Sequence, residues 1–144
     1  RFDLQQRLGR IKINIMYIQR KADAAKRERD GLTSYFLMEK GSESSDSFAV
    51  TWVDVAPGKI QALHHHPEVQ IYVIIAGSGV MKIGKALEFV SVGDCVFIPS
   101  NENHGIENTG IVTLTYISAA TPAFSMTALY DDGQLTSDAY PPQD

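Results

Sequence analysis

The chain is predicted to be all-β, a double-sheet jelly roll, on three observations. Between residues 32 and 118, β-branched, aromatic and aliphatic residues recur in short runs that fit about eight to ten strands. Turn signals punctuate those runs at close spacing: Pro57-Gly58, Gly77-Ser78-Gly79, Val92-Gly93-Asp94 and Asn108-Thr109-Gly110. No strand–helix alternation suggests a parallel sheet, and no repeat of solenoid or propeller period is present.

Size and charge narrow the function classes. At 144 residues the chain is expected to be one domain, able to bury a core without disulfides. Its 44% apolar and 21% charged content is that of a globular protein rather than a disordered or fibrous one. A formal net charge of −4 gives no general attraction to phosphate backbones or anionic lipid, so nucleic acid is not an expected partner. The longest apolar run, residues 71–76, is too short to span a membrane as a helix. Cys95 is the only cysteine; with Val96, Phe97 and Ile98 beside it, it reads as a small core residue, and a lone thiol suits a cytoplasmic setting. Arg1 rather than methionine opens the sequence, so a further N-terminal segment is compatible with it.

Taken in order, residues 11–18 (IKINIMYI) alternate with period 2, as an edge strand or an arm exchanged with a partner subunit would. Residues 19–30 (QRKADAAKRERD) are rich in alanine and long charged side chains, which predicts a short exposed helix with an Asp23–Arg27 pair on a solvated face. Residues 32–40 and 48–55 form a hairpin around a polar loop, GSESSDS, and Trp52 is expected to pack the core or a subunit face. Further strands are expected over 59–66, 70–76, 80–83, 87–90, 95–98 and 111–118, with Pro99 ending the fifth of these. The barrel core thus covers about 32–120, preceded by an N-terminal arm (1–31) and followed by an extended tail (121–144) with few periodic apolar positions.

The chemistry gathers around GKIQALHHHPEVQIYVIIAG, residues 58–77. His64 and His66 are two residues apart, so on an extended strand both imidazoles point to one face and His65 points to the other. Two nitrogen donors on one face begin a metal site. Gln70 and Tyr72 share that parity. The first stretch reads Gly58, His64, His66, Gln70, Gly77; a second reads Gly93, Pro99, Asn101, His104, Asn108.

With these internal spacings the chain resembles the cupin superfamily, specifically a small single-domain, RmlC-like member. The family pattern has glutamate in place of Gln70 and glycine in place of Asn101; the other eight positions match. The resemblance implies a cupin-type double-stranded β-helix, here with a short N-terminal helix or arm, and one divalent metal per subunit bound by His64, His66, Gln70 and His104. Three imidazoles and one amide oxygen suit Fe, Mn, Co, Ni, Cu or Zn rather than Ca or Mg. A neutral glutamine leaves the ionic charge uncompensated, which either strengthens Lewis acidity or weakens affinity, unless Glu68 swings in as a carboxylate ligand.

The implied function is that of a mononuclear metal-dependent enzyme acting on a small organic molecule, of oxygenase, isomerase, lyase or cyclase type. The alternative is a non-catalytic binding or sensing protein. Tyr72 and Glu102 are the candidate catalytic residues, as proton donor and as base or ligand-orienting group. Asn108 reads as a turn-stabilising residue. The resemblance also implies a homodimer.

Overall fold

Side-chain alternation decides which face of each strand is buried, and that alternation is strict through the middle of the chain. In Ala49–Val55 the odd-numbered residues Ala49, Thr51, Val53 and Val55 are buried, and in Val69–Ala76 the even-numbered Gln70, Tyr72 and Ile74 are. The computed structural model describes residues 16–41 and 46–131. Within them lie β1 (Ala25–Arg29), β2 (Leu32–Met38), β3 (Ala49–Val55), β4 (Val69–Ala76), β5 (Ser78–Ile83), β6 (Ala86–Ser91), β7 (Cys95–Ile98), β8 (His104–Glu107) and β9 (Leu114–Thr121), then a short helix α1 (Met126–Asp131).

The strands make the expected two-sheet jelly roll. A six-stranded sheet runs β1-β2-β3-β9-β4-β7 and a three-stranded sheet runs β6-β5-β8. Every pairing is antiparallel. Val53, Val55, Tyr72, Ile74, Leu114 and Tyr116 from the first sheet meet Met81, Val90 and Ile106 from the second in one core. Apolar residues fill one end of the space between the sheets, leaving the other to polar side chains.

The segment before β4 completes that polar end. It runs antiparallel along β8, with Ile60 bridged to Glu107 and His64 to His104. Gln61 N–H donates to the Ile106 carbonyl at 2.8 Å, and Gly105 lies so close to Gln61 that a Cβ there would meet the Gln61 carbonyl oxygen at 2.6 Å. A glycine at 105 is what lets the two backbones approach.

Several expectations are corrected. Residues 19–30 do not form a helix: a single 3-10 turn, Lys21–Asp23, is followed by β1, which pairs with β2 at the edge of the larger sheet. Edge pairing outweighs the high intrinsic helix propensity of AKRER, because so short a segment gains little from helix formation on its own. Arg27 therefore makes no i,i+4 contact with Asp23, and instead donates to both carboxylate oxygens of Asp131 at 2.7 and 2.9 Å. The C-terminal stretch is not wholly extended, since α1 docks on the body. Its last strand also starts later than expected, at Leu114 rather than 111.

Cys95 is exposed rather than in the core, because β7 is an edge strand and its odd-numbered residues face out. Trp52 is half-buried on the outer face of β3, where its indole N–H donates to Asp54 and the Lys21 ammonium lies 4.8 Å above the ring. Of the arm expected over 11–18, only residues 16–18 are described, and they lie outside any strand; the rest of that arm, and residues 132–144 of the tail, fall outside the described residues.

Candidate metal centre

Three histidines converge at the polar end because of one backbone bridge and one parity rule. His64 and His104 face each other across the bridge, exchanging both backbone N–H···O bonds at 3.0 and 2.9 Å, so their rings emerge side by side with centroids 4.2 Å apart. His66, two residues on, brings its ring to 5.0 Å from that of His104. One ring nitrogen from each of the three lies within 4.8 Å of the others. His65 points outward, its Nδ1 3.1 Å from the Asn103 side-chain oxygen, as the alternation predicts.

The proton positions on the three rings follow from their neighbours. His64 Nδ1 lies 2.8 Å from the Ala62 carbonyl, His66 Nδ1 2.9 Å from the Glu68 carbonyl and His104 Nδ1 2.9 Å from the Glu102 carbonyl. A carbonyl only accepts, so each Nδ1 carries a proton, which in the neutral rings of His64 and His104 leaves the lone pair on Nε2; His66 Nε2 faces the Gln70 side-chain oxygen. Burial lowers the pKa of His64 to about 4, with further lowering from His66 and His65. Burial lowers that of His104 to about 3, helped by His64. Both rings are therefore neutral at pH 7. His104 is fully buried, and its Nε2 has no hydrogen-bond partner among the described residues.

Gln70, on the buried face of β4, completes the group. Its Oε1 lies 3.0 Å from His66 Nε2, while its Nε2 donates to the Ser118 hydroxyl at 2.5 Å. Tyr72, next on that face, stacks on Tyr116 with centroids 4.1 Å apart and donates its hydroxyl to Gln61 Oε1 at 2.9 Å. Burial raises the Tyr72 pKa to about 12, so it keeps its proton.

Glu68 stands behind His66. Its carboxylate is 3.7 Å from Nδ1, on the side of the ring turned away from Nε2. Glu102 is not brought to the site by its side chain. It is exposed and lies against Gly84, and only its backbone carbonyl touches His104. Asn101, where the family pattern has glycine, takes a left-handed φ of 62° that asparagine tolerates better than other side-chain-bearing residues, and its N–H donates to the His66 carbonyl at 2.8 Å. Asn108 is fully buried and holds its turn by donating to the carbonyls of Val55 and Val112 while accepting from Gly110 N–H.

The group opens into a cavity of about 130 Å³ whose lining includes His64, His66, Gln70, Tyr72 and Tyr116. Its lining also includes Arg29 and Asp30, Leu32, Ser34, Thr51 and Val53 of the larger sheet, and Phe124, Met126, Leu129 and Tyr130 of the C-terminal segment. That segment is held by the Arg27–Asp131 ion pair and by Glu39, which accepts from the Thr127 N–H at 2.9 Å and its hydroxyl at 2.6 Å. Sequence reasoning did not assign Gln61, Ser118, Tyr116 or the C-terminal wall to the site. Ser118 and Tyr116 could have been found from their shared parity on β9; α1 carries too few periodic positions to announce itself.

Comparison with known proteins agrees with this architecture. Residues 51–119 match the cupin domain family model. The chain is 38% identical over 83 residues to an oxalate-binding protein of Thermotoga maritima, covering 57% of this chain and 69% of that one. It is 30% identical over 76 residues to mannose-1-phosphate guanylyltransferase RfbM of Salmonella typhimurium, covering 52% of this chain but only 16% of that enzyme. Among solved structures, a predicted oxalate decarboxylase from Thermotoga maritima superposes with a TM-score of 0.65 at 25% identity, over 73% of this chain and 97% of that one. The matched region spans β3 to β9 and so includes both histidine-bearing stretches, and on these grounds the chain belongs to the cupin family.

Proposed function

We propose that this chain is a mononuclear metal-dependent cupin acting on a small organic molecule, with His64, His66, His104 and Gln70 as the ligands of one divalent transition ion. The observation that carries the reading is the buried, unpartnered Nε2 of His104, set beside two more imidazoles whose protons are committed to carbonyls. Buried polar atoms without partners are rare and costly, and a cation on the His104 lone pair would satisfy it. The three Nδ1–H···O=C bonds are the outer contacts that metal-bound histidines use to fix ring orientation. Nitrogen and amide-oxygen donors suit Fe, Mn, Co, Ni, Cu or Zn.

When bound, such an ion would supply Lewis acidity, or redox chemistry for some of these metals, at a substrate oxygen. The protein's own part is positional. Ser118 holds the Gln70 amide with its oxygen toward His66, the backbone carbonyls hold the three rings, and Phe124, Met126 and Leu129 keep bulk water from one side of the cavity. Tyr72 keeps its proton and gives it to Gln61, so it serves as a fixed wall of the site with only its phenolic oxygen left to accept, rather than as a base. The name of the Thermotoga relative supports a small oxygen-bearing ligand.

That same name favours a second reading, a protein that binds such a ligand without converting it. Prolonged incubation of metal-loaded protein with oxalate, followed by mass analysis, separates the two for this ligand: unchanged oxalate recovered from the bound fraction speaks for binding. For a protein partner we propose a second copy of the chain, supported by the exposed Leu87, Phe89 and Phe97 on the edge strands β6 and β7. Sedimentation would test it, and a monomer at all concentrations would reject it.

The metal assignment is tested by elemental analysis of purified wild-type and His66→Ala protein. Stoichiometric metal in the first and its loss in the second is the expected result. Equal metal content in both rejects the site.

A further inference from the structure

A second buried polar atom without a partner lies in the same cavity. The hydroxyl of Tyr116, a cavity-lining residue 1% exposed, makes no hydrogen bond among the described residues. The Tyr72 hydroxyl beside it gives its own proton to Gln61 Oε1 at 2.9 Å. Tyr72 and Gln61 are close enough to bear on Tyr116's ionisation, yet neither forms a well-aligned bond with its hydroxyl. The ring cannot turn the hydroxyl away, because it is stacked on Tyr72 at 4.1 Å with the planes 20° apart. Burial raises its pKa well above the usual tyrosine value, so it remains a donor at any working pH.

The walls say what such a donor would serve. The charged side chains that line the cavity are Arg29 and Asp30, of opposite sign, and the Arg29 guanidinium is spread over the Tyr130 ring at 4.5 Å. That ring contact engages the one cation that lines the cavity among the described residues, and Asp30 adds a negative charge to the lining. The Ser34 and Thr51 hydroxyls share the rest of it with Leu32, Val53, Phe124, Met126 and Leu129. The outward oxygens of a dicarboxylate would be desolvated against those apolar side chains, at substantial cost. The volume of about 130 Å³ is below the roughly 300 Å³ at which pockets for drug-sized ligands begin.

We infer that Tyr116 is a ligand-binding residue, and that the cavity takes a small organic anion with an oxygen-chelating head beside the histidines and an apolar body, one head oxygen accepting the Tyr116 proton. This rests on the metal reading above and narrows its substrate class to hydroxy-ketone or enolisable-ketone chemistry, away from a dicarboxylate.

The test uses Co²⁺-loaded wild-type and Tyr116→Phe proteins titrated with maltol, a singly charged hydroxy-ketone chelator, and with oxalate, a doubly charged one. The expected result is unchanged cobalt content in the variant and maltol binding weakened about tenfold, the worth of one good hydrogen bond. The wild-type protein should also favour maltol over oxalate more strongly than aqueous Co²⁺ does. A second readout separates ligand binding from structural support: losing an unpartnered hydroxyl should leave the thermal midpoint of metal-free protein unchanged or higher, whereas a structural hydroxyl would lower it. Unaltered maltol affinity in a cobalt-loaded variant overturns the role of Tyr116, and preference for oxalate overturns the ligand class. A wild-type protein that takes up no cobalt overturns the metal reading and, with it, this one.

Discussion

The side-chain oxygen of Gln70 lies 3.0 Å from Nε2 of His66, whose other ring nitrogen gives its proton to the Glu68 carbonyl. Two lone-pair donors at this separation repel unless a proton or a cation lies between them. Turned over, the amide would give an N–H to His66 and accept from the Ser118 hydroxyl, so Ser118 holds the amide in either orientation and an ion shared with His66 would select the one with the oxygen inward. The spacing is one that adjacent ligands of a single ion adopt.

Replacing Gln70 with glutamate would put a charge where the neutral oxygen stands. The Gln70→Glu variant is expected to hold a divalent transition ion on the order of ten times more tightly, since a carboxylate next to the ion is worth about 1–4 kcal/mol of screened attraction. Competition against a chelating dye measures it. No gain in retention would remove Gln70 from the ligand set.

Ser118 is the test of how that amide is held. In Ser118→Ala the buried Gln70 amide loses its acceptor, which is expected to cost about 1–3 kcal/mol of stability and to loosen metal binding as well. Urea unfolding reads the first effect and metal titration the second. A variant as stable as wild type, with the same affinity, would show that the amide finds another partner.

Acid should unfold the metal-free protein through His64 and His104. Their folded-state pKa values, about 4 and about 3, lie below the unfolded value near 6.5, so between those limits the unfolded chain binds more protons than the folded one. Stability is full above about pH 6.5 and falls as the pH drops toward 4, by up to roughly 1.4 kcal/mol per pH unit for each histidine. Chemical denaturation of chelator-treated protein at pH 7 and pH 5 checks the sign. His104→Asn should flatten the dependence, and an unchanged slope would place its origin elsewhere.

Asn108 locks the loop between β8 and β9. Asn108→Ala leaves the buried carbonyl of Val55 without its donor and removes the contacts to Val112 and Gly110, for an expected loss of about 2–4 kcal/mol. The thermal midpoint should fall accordingly. Stability within about 0.5 kcal/mol of wild type, the range of an ordinary surface change, would contradict the role assigned to this side chain.

The sequence by itself determined which residues share a face. Period-2 alternation put His64, His66, Gln70 and Tyr72 on one side of the chain and sent His65 to the other, because successive side chains of an extended backbone point opposite ways. Turn residues at fixed positions set the strand count, and Asn101 could replace a glycine because a left-handed residue, not a bare backbone, was required there. The sequence also misled where pairing overrode local propensity. The AKRER segment became an edge strand once β2 offered it a partner, and Cys95 faced out once β7 was the last strand of its sheet.

Tertiary structure alone decided what those faces meet. His64 reaches His104 through a bridge across 40 positions, and Gln70 reaches Ser118 across 48. Such pairings depend on which strands lie side by side and in what register, information that alternation within one strand does not contain. The same holds for the C-terminal wall, where Phe124, Met126 and Leu129 close the cavity because Glu39 and Arg27, far back in the chain, hold the segment against β1 and β2.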